Sequence, residues 1–119
     1  MKKPLLWLSL TALLSSSLTW LALRAAAPAH MVKLENAKAR VTEVVYEPGQ
    51  PRPRGIREHD QVIVFLDDSR YERIDSATKE KTVRVRKSGD VIWHDKGEDA
   101  PQLTNLGQKP YRTMVIELK

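Results

Sequence analysis

From Ala39 to Leu118 the chain is a succession of short β-prone runs, each stopped by turn residues, with no long helical pattern among them. That spacing constrains the fold more than any other feature. "ARVTEVVY" (Ala39–Tyr46) is rich in β-branched residues. "QVIVFL" (Gln61–Leu66) is a continuous apolar run, suited to a strand buried on both faces. "RYERID" (Arg70–Asp75) follows it after "DDS", which predicts a hairpin between the two. "TVRVR" (Thr82–Arg86) alternates strictly, valines on one face and basic residues on the other. "VIWH" (Val91–His94) follows the turn Ser88-Gly89-Asp90, and Leu103–Asn105 and Arg112–Leu118 complete the set. Short, evenly spaced strands of this kind point to an all-β barrel or sandwich.

The N-terminus is different in kind. Lys2 and Lys3 precede the uncharged run "LLWLSLTALLSSSLTWLAL" (Leu5–Leu23), and Ala27-Pro28-Ala29 offers a small-residue cleavage site. Residues 1–29 therefore read as a hydrophobic helical signal segment. An uncleaved membrane anchor is the alternative, and either places the domain in the periplasm or outside the cell. Residues 30–38 read as a lead-in arm and 39–119 as the barrel.

Composition excludes several functions. With no cysteine there is no disulfide framework and no thiolate metal site. The formal charge of +5 falls to +2 once Lys2, Lys3 and Arg24 are set aside, leaving 17 basic and 15 acidic residues. This is not the charge of a nucleic-acid binder, and the alternation of basic and acidic residues reads as a solvated face. Ser69, Ser76 and Ser88 stand in turn contexts with no nucleophile elbow, and no phosphate loop or zinc-binding helix motif occurs.

Two motifs are similar to those of the small single-domain cupins. The first in that family runs G-x5-H-x-H-x3-E, with Gln tolerated last. Here Gly49 opens it, Gly55 and Arg57 stand in place of the two histidines, and Gln61 holds the final position before the strand in "HDQVIVFLDD". The second runs G-x5-P-x-G-x2-H-x3-N. Gly89 opens it, Asp95 replaces the proline, Gly97 keeps its place, Ala100 replaces the histidine, and Asn105 comes one residue late in "GEDAPQLTNLG". The closing "KPYRTMVIELK" is similar to the family's last strand. The resemblance implies a small cupin-like β-barrel (a double-stranded β-helix, or jelly roll) and makes a homodimer formed by sheet packing an expectation. It does not carry over the metal, because Gly55, Arg57 and Ala100 have no ligating side chain.

The expected function is therefore a metal-free, non-catalytic binding module with its site in the barrel mouth. Arg57, Gln61, His59, Trp93 and His94 are its candidate residues. The plainer reading of each histidine is a hydrogen-bonded rim or core residue, and of Trp93 a core residue. Arg57 should start toward the interior, and its charge needs an answer. Three are open: an internal carboxylate (Glu58, Asp95, Glu98 or Asp99), solvent reached past Gly55, or a small anionic ligand held with Arg52 or Arg54. The alternative function is a metal-dependent enzyme whose divalent transition metal is held by an unusual set, His59, Gln61 and His94.

Overall fold

The structure is a computed structural model and describes residues 28–119, so the signal segment lies outside the described residues except for its last two, Pro28 and Ala29. The described residues form strands and turns and no helix. In chain order the strands are β1 (Ala29–Glu35), β2 (Ala39–Tyr46), β3 (Pro51–Arg52), β4 (Gly55–Ile56), β5 (Asp60–Phe65) and β6 (Ser69–Ile74). They continue as β7 (Lys81–Arg86), β8 (Val91–His94), β9 (Asp99–Ala100), β10 (Gln102–Asn105) and β11 (Tyr111–Leu118). One sheet has the order β1-β2-β11-β5-β8, a second the order β3-β10-β6-β7, and β4 pairs with β9. The stretch read as a lead-in arm is an edge strand, paired antiparallel along β2 and exposed at every residue.

The inner faces of the two larger sheets meet in an aromatic core. β2 contributes Val44 and Tyr46, β5 Ile63 and Phe65, β11 Tyr111, and β6 of the opposite sheet Tyr71. Tyr46 stacks on Tyr111 at 4.8 Å between centroids. Tyr71 reaches across to Phe65 at 6.2 Å and to Tyr111 at 6.1 Å. Aromatic pairs at such distances add to the free energy of burying their area.

Asn105 locks the turn into β11. Its side-chain amide donates to the carbonyls of Tyr46 and Lys109, both at 2.9 Å, and its Oδ1 accepts from Gly107 N at 2.8 Å. The one-residue shift in the second motif leaves this asparagine buried and fully employed.

Three sequence expectations need correction. β5 and β6 are not a hairpin, because β5 pairs with β11 and β8 while β6 pairs with β10 and β7. The "DDS" segment carries the chain from one sheet to the other. Asp67 accepts from Arg112 N and Nε, at 3.0 and 2.9 Å, and Asp68 accepts from Ser88 N at 2.8 Å. The two aspartates therefore anchor a corner. Next, β5 is not buried on both faces: Gln61, Ile63 and Phe65 are buried, while Val62 and Val64 on the other face are half-buried.

The third correction matters most for function. The arginines of β7 do not lie on the outer face of the barrel. Arg84 stands opposite buried Tyr71 and Arg86 opposite buried Ser69, so the two arginines share the cavity side, Arg86 half-buried and Arg84 exposed. Val83 and Val85 point away and are 50% and 64% exposed. Residues directly opposite in an antiparallel pair lie on the same face, and a one-residue slip would reverse the whole strand. Placing Tyr71 in the core thus turns Arg84 inward.

This register predicts an unequal pair of substitutions. Val85→Thr should change stability by less than about 0.5 kcal/mol, as at an exposed site, and Tyr71→Ala should cost about 3–5 kcal/mol. Urea denaturation measures both, and a Val85→Thr loss comparable with that of Tyr71→Ala would reverse the assignment of faces.

Candidate binding cavity

Between the two sheets lies a cavity of about 370 Å³. Tyr46, Phe65, Tyr71 and Tyr111 line part of it, with Ile63, Ile92 and Leu103 beside them. The rest of its wall is dominated by five arginines: Arg52 from β3, Arg57 just after β4, Arg73 from β6, and Arg84 and Arg86 from β7. No aspartate or glutamate lines it.

These arginines have little to hold. Among the described residues none of the five forms an ion pair with a carboxylate. Arg57 is only 8% exposed and donates one bond, to Gln61 Oε1 at 2.9 Å. Arg52 donates to the carbonyl of Pro101. Arg86 lies over the Phe65 ring at 5.9 Å. Nε of Arg52, Arg57 and Arg86 is buried in each case without a hydrogen-bond partner, as is Oγ1 of Thr113 in the same wall. Burial pushes the Arg57 guanidinium below its ordinary pKa, and repulsion from Arg52 adds to this against the attraction of Glu98. An arginine still keeps its charge under such pressure.

Of the three answers open to Arg57, the structure removes two. The side chain does not bend out to solvent, and no ion pair with Glu58, Asp95, Glu98 or Asp99 forms. The nearby acids are engaged elsewhere. Glu98 accepts from His94 Nδ1 at 2.9 Å. Asp99 accepts from Arg54 Nε at 2.6 Å and from the Ser76 hydroxyl. Asp95 accepts from Trp93 Nε1 at 2.9 Å.

The remaining candidates are placed as follows. Gln61 is buried and holds Arg57 in position. His94 pairs with Gln61 across β5 and β8 and borders the cavity. Burial lowers its pKa, opposed by the bond to Glu98 and aided by repulsion from Arg57 and Arg52. Trp93 also borders the cavity, but it is 50% exposed rather than core. His59 lies apart from the lining, with its Nδ1 3.9 Å from Glu117. Arg73, Arg84 and Arg86 were missed because a basic residue alternating along a strand reads as solvent-facing. The usable signal was Tyr71, whose place in the core decides the parity of β7.

The residues present do not fit a metal ion. Gly55 pairs with Ala100 across β4 and β9, so two positions where the cupin motifs put histidines face each other without donors. A third, Arg57, brings a fixed positive charge and bonds Gln61, at the motif's last ligand position. Among the described residues no three histidine, aspartate or glutamate side chains converge as a metal site. Of the alternative set, Gln61 and His94 stand opposite each other across β5 and β8, with Gln61 bonded to Arg57 and His94 to Glu98, while His59 lies 3.9 Å from Glu117.

No protein-family model and no curated protein matches the sequence. Solved structures do. A cupin domain from Bordetella pertussis superposes with a TM-score of 0.70 at 17% identity, over 78% of this chain and 94% of that one. An RmlC-like cupin family protein with a double-stranded β-helix fold, from Methanocaldococcus jannaschii, gives 0.61 at 8% identity, over 78% of this chain and 81% of its own. A polyketide cyclase from Streptomyces resistomycificus gives 0.62 at 16% identity, over 76% and 64%. Identities this low speak for the fold alone. By its sheets, its two displaced motifs and these likenesses, the chain has the double-stranded β-helix fold of a small cupin domain.

Proposed function

We propose that this cupin-fold chain is a metal-free, non-catalytic binding module that holds a small organic anion in its barrel. The observation that carries the reading is the cavity wall, with five arginines and no carboxylate. A cavity so lined attracts negative charge and disfavours cations. Guanidinium groups recognise carboxylates through paired N–H donors, and the buried Nε groups of Arg52, Arg57 and Arg86 are donors still to be used.

A thermal-shift series tests this. Small organic acids should raise the melting temperature of the wild-type protein, and EDTA should leave it unchanged. Arg57→Ala should remove the acid-dependent shift. Its own stability should stay within about 1 kcal/mol of wild type or exceed it, because the variant relieves a buried charge without an ionic partner. Arg57→Lys should weaken binding despite keeping the charge. The proposal fails if no acid shifts the wild type.

Export of the domain to the periplasm is part of the same reading, resting on residues 1–29. N-terminal sequencing of protein from the periplasmic fraction should begin at or near His30. Full-length chain in the cytosol would contradict this.

A homodimer is the proposed assembly. The outer face of the larger sheet sets Val62 and Val64 beside Met114, Ile116 and Val91. Val91 is 60% exposed there, so this apolar face suits a second copy of itself. Light scattering at micromolar concentration should give a dimer for the wild type and a monomer of unchanged fold for the double variant Val91→Asp, Met114→Asp. A monomeric wild type would rule the assembly out.

A further inference from the structure

The five arginines are not spread evenly along the cavity. Arg52 and Arg73 both pair with Leu103, so the three form one row across the smaller sheet. Arg86 pairs with Ser69, four residues from Arg73 along β6. Four residues of strand span about 13 Å. The opposite wall has the same polarity. Gln61, which holds Arg57, and His94 lie at one end of β5, and Phe65, which lies under Arg86, at the other. The cavity thus has two cationic poles, Arg52 with Arg57 and Arg73 at one and Arg86 at the other. Ile63, Ile92 and Tyr71 lie between them, with Arg84 on the more exposed β7 side.

We infer that the ligand is an organic dianion, with its two anionic groups at opposite ends of an apolar body. This rests on the anion-binding reading above and specifies its ligand class. A single carboxylate would satisfy one pole and leave the other with buried donors unmade. Nε of Arg57 and Arg52 lie at one pole and Nε of Arg86 at the other, all buried and unpartnered. A compact, highly charged ion such as phosphate has no body to set against Ile63, Ile92 and Tyr71, and a neutral ligand leaves all five charges unanswered. An extended dicarboxylate meets each requirement: a guanidinium partner at both ends, and apolar contact between.

Isothermal titration calorimetry of the full domain with defined probes tests this: octanoate, succinate, suberate and inorganic phosphate. Suberate should bind at least tenfold tighter than octanoate, which lacks the second anion, and than succinate, which is too short to span the poles. Arg86→Gln should cut suberate affinity at least tenfold, down to that of octanoate, and cost octanoate, which needs only one pole, far less. Equal affinity for suberate and octanoate, or no effect of Arg86→Gln on suberate, would refute the two-pole ligand while leaving a one-anion site standing. Tightest binding of phosphate would also refute it. Failure of all four probes to bind would count against the anion-binding reading itself.

Discussion

The constraint on which the rest depends is the gathering of five guanidinium groups around one cavity, Arg57 buried and the others more exposed, without a carboxylate among them. Like charges repel, and the repulsion grows as water is displaced from between them. Burying such a group without an ionic partner costs several kcal/mol. The fold offsets this in local ways. Gln61 supplies a carbonyl oxygen to Arg57, Pro101 a backbone carbonyl to Arg52, and Phe65 a ring face to Arg86. A cation over an aromatic face gains about 0.5–2 kcal/mol, depending on how far it is desolvated. None of these contacts neutralises a charge. Each positions a guanidinium while leaving its remaining donors directed elsewhere, as a preorganised site for a charged ligand requires.

The acids around the site explain how this arrangement survives. Of the four carboxylates that could answer Arg57, three are held by other partners. His94 occupies Glu98, Arg54 and Ser76 occupy Asp99, and Trp93 occupies Asp95. The bond to His94 keeps Glu98 below its usual carboxylate range, and bonds to Ser76 and Arg54 do the same for Asp99. Ionised acids thus stand near the arginines without closing on them. Had one closed, Arg57 would be a structural ion pair and the cavity would lose its strongest inward donor.

Much of the fold was legible because short strands carry their own signatures. β-branched runs, the turn at Gly89 and the two displaced motifs placed most strands to within a residue or two. The partners of those strands were not legible. Asp67 and Asp68 between two strands look like a hairpin turn, and only their bonds to Arg112 and Ser88 show them to be a corner between sheets. The face of β7 was also hidden. An alternating valine and arginine strand is read by hydrophobicity as valine-in, and within β7 alone nothing contradicts that. The decision comes from β6, where Tyr71 joins the aromatic core and fixes which residues of β7 stand opposite it. Arg57 and Gln61 were found from the motif count, whereas Arg73, Arg84 and Arg86 required the sheet.

Arg57 also shows how one barrel can exchange one chemistry for another. The two motifs bring Gly55, Ala100, Arg57 and Gln61 together, as β4–β9 pairing and the Arg57–Gln61 bond attest. Where the resemblance would put a metal ion, this chain puts a guanidinium. Both are positive and both attract anions, so the direction of the local field is kept. The guanidinium differs in having no open coordination position and in holding its protons at any ordinary pH. It neither lowers the pKa of a bound water nor polarises a carbonyl as a Lewis acid does. What it offers is a planar set of donors fixed to the chain, matched to carboxylate geometry. On the binding reading proposed above, such a barrel gathers an anion through donors fixed to the chain and holds it there, without the activation a metal ion would supply.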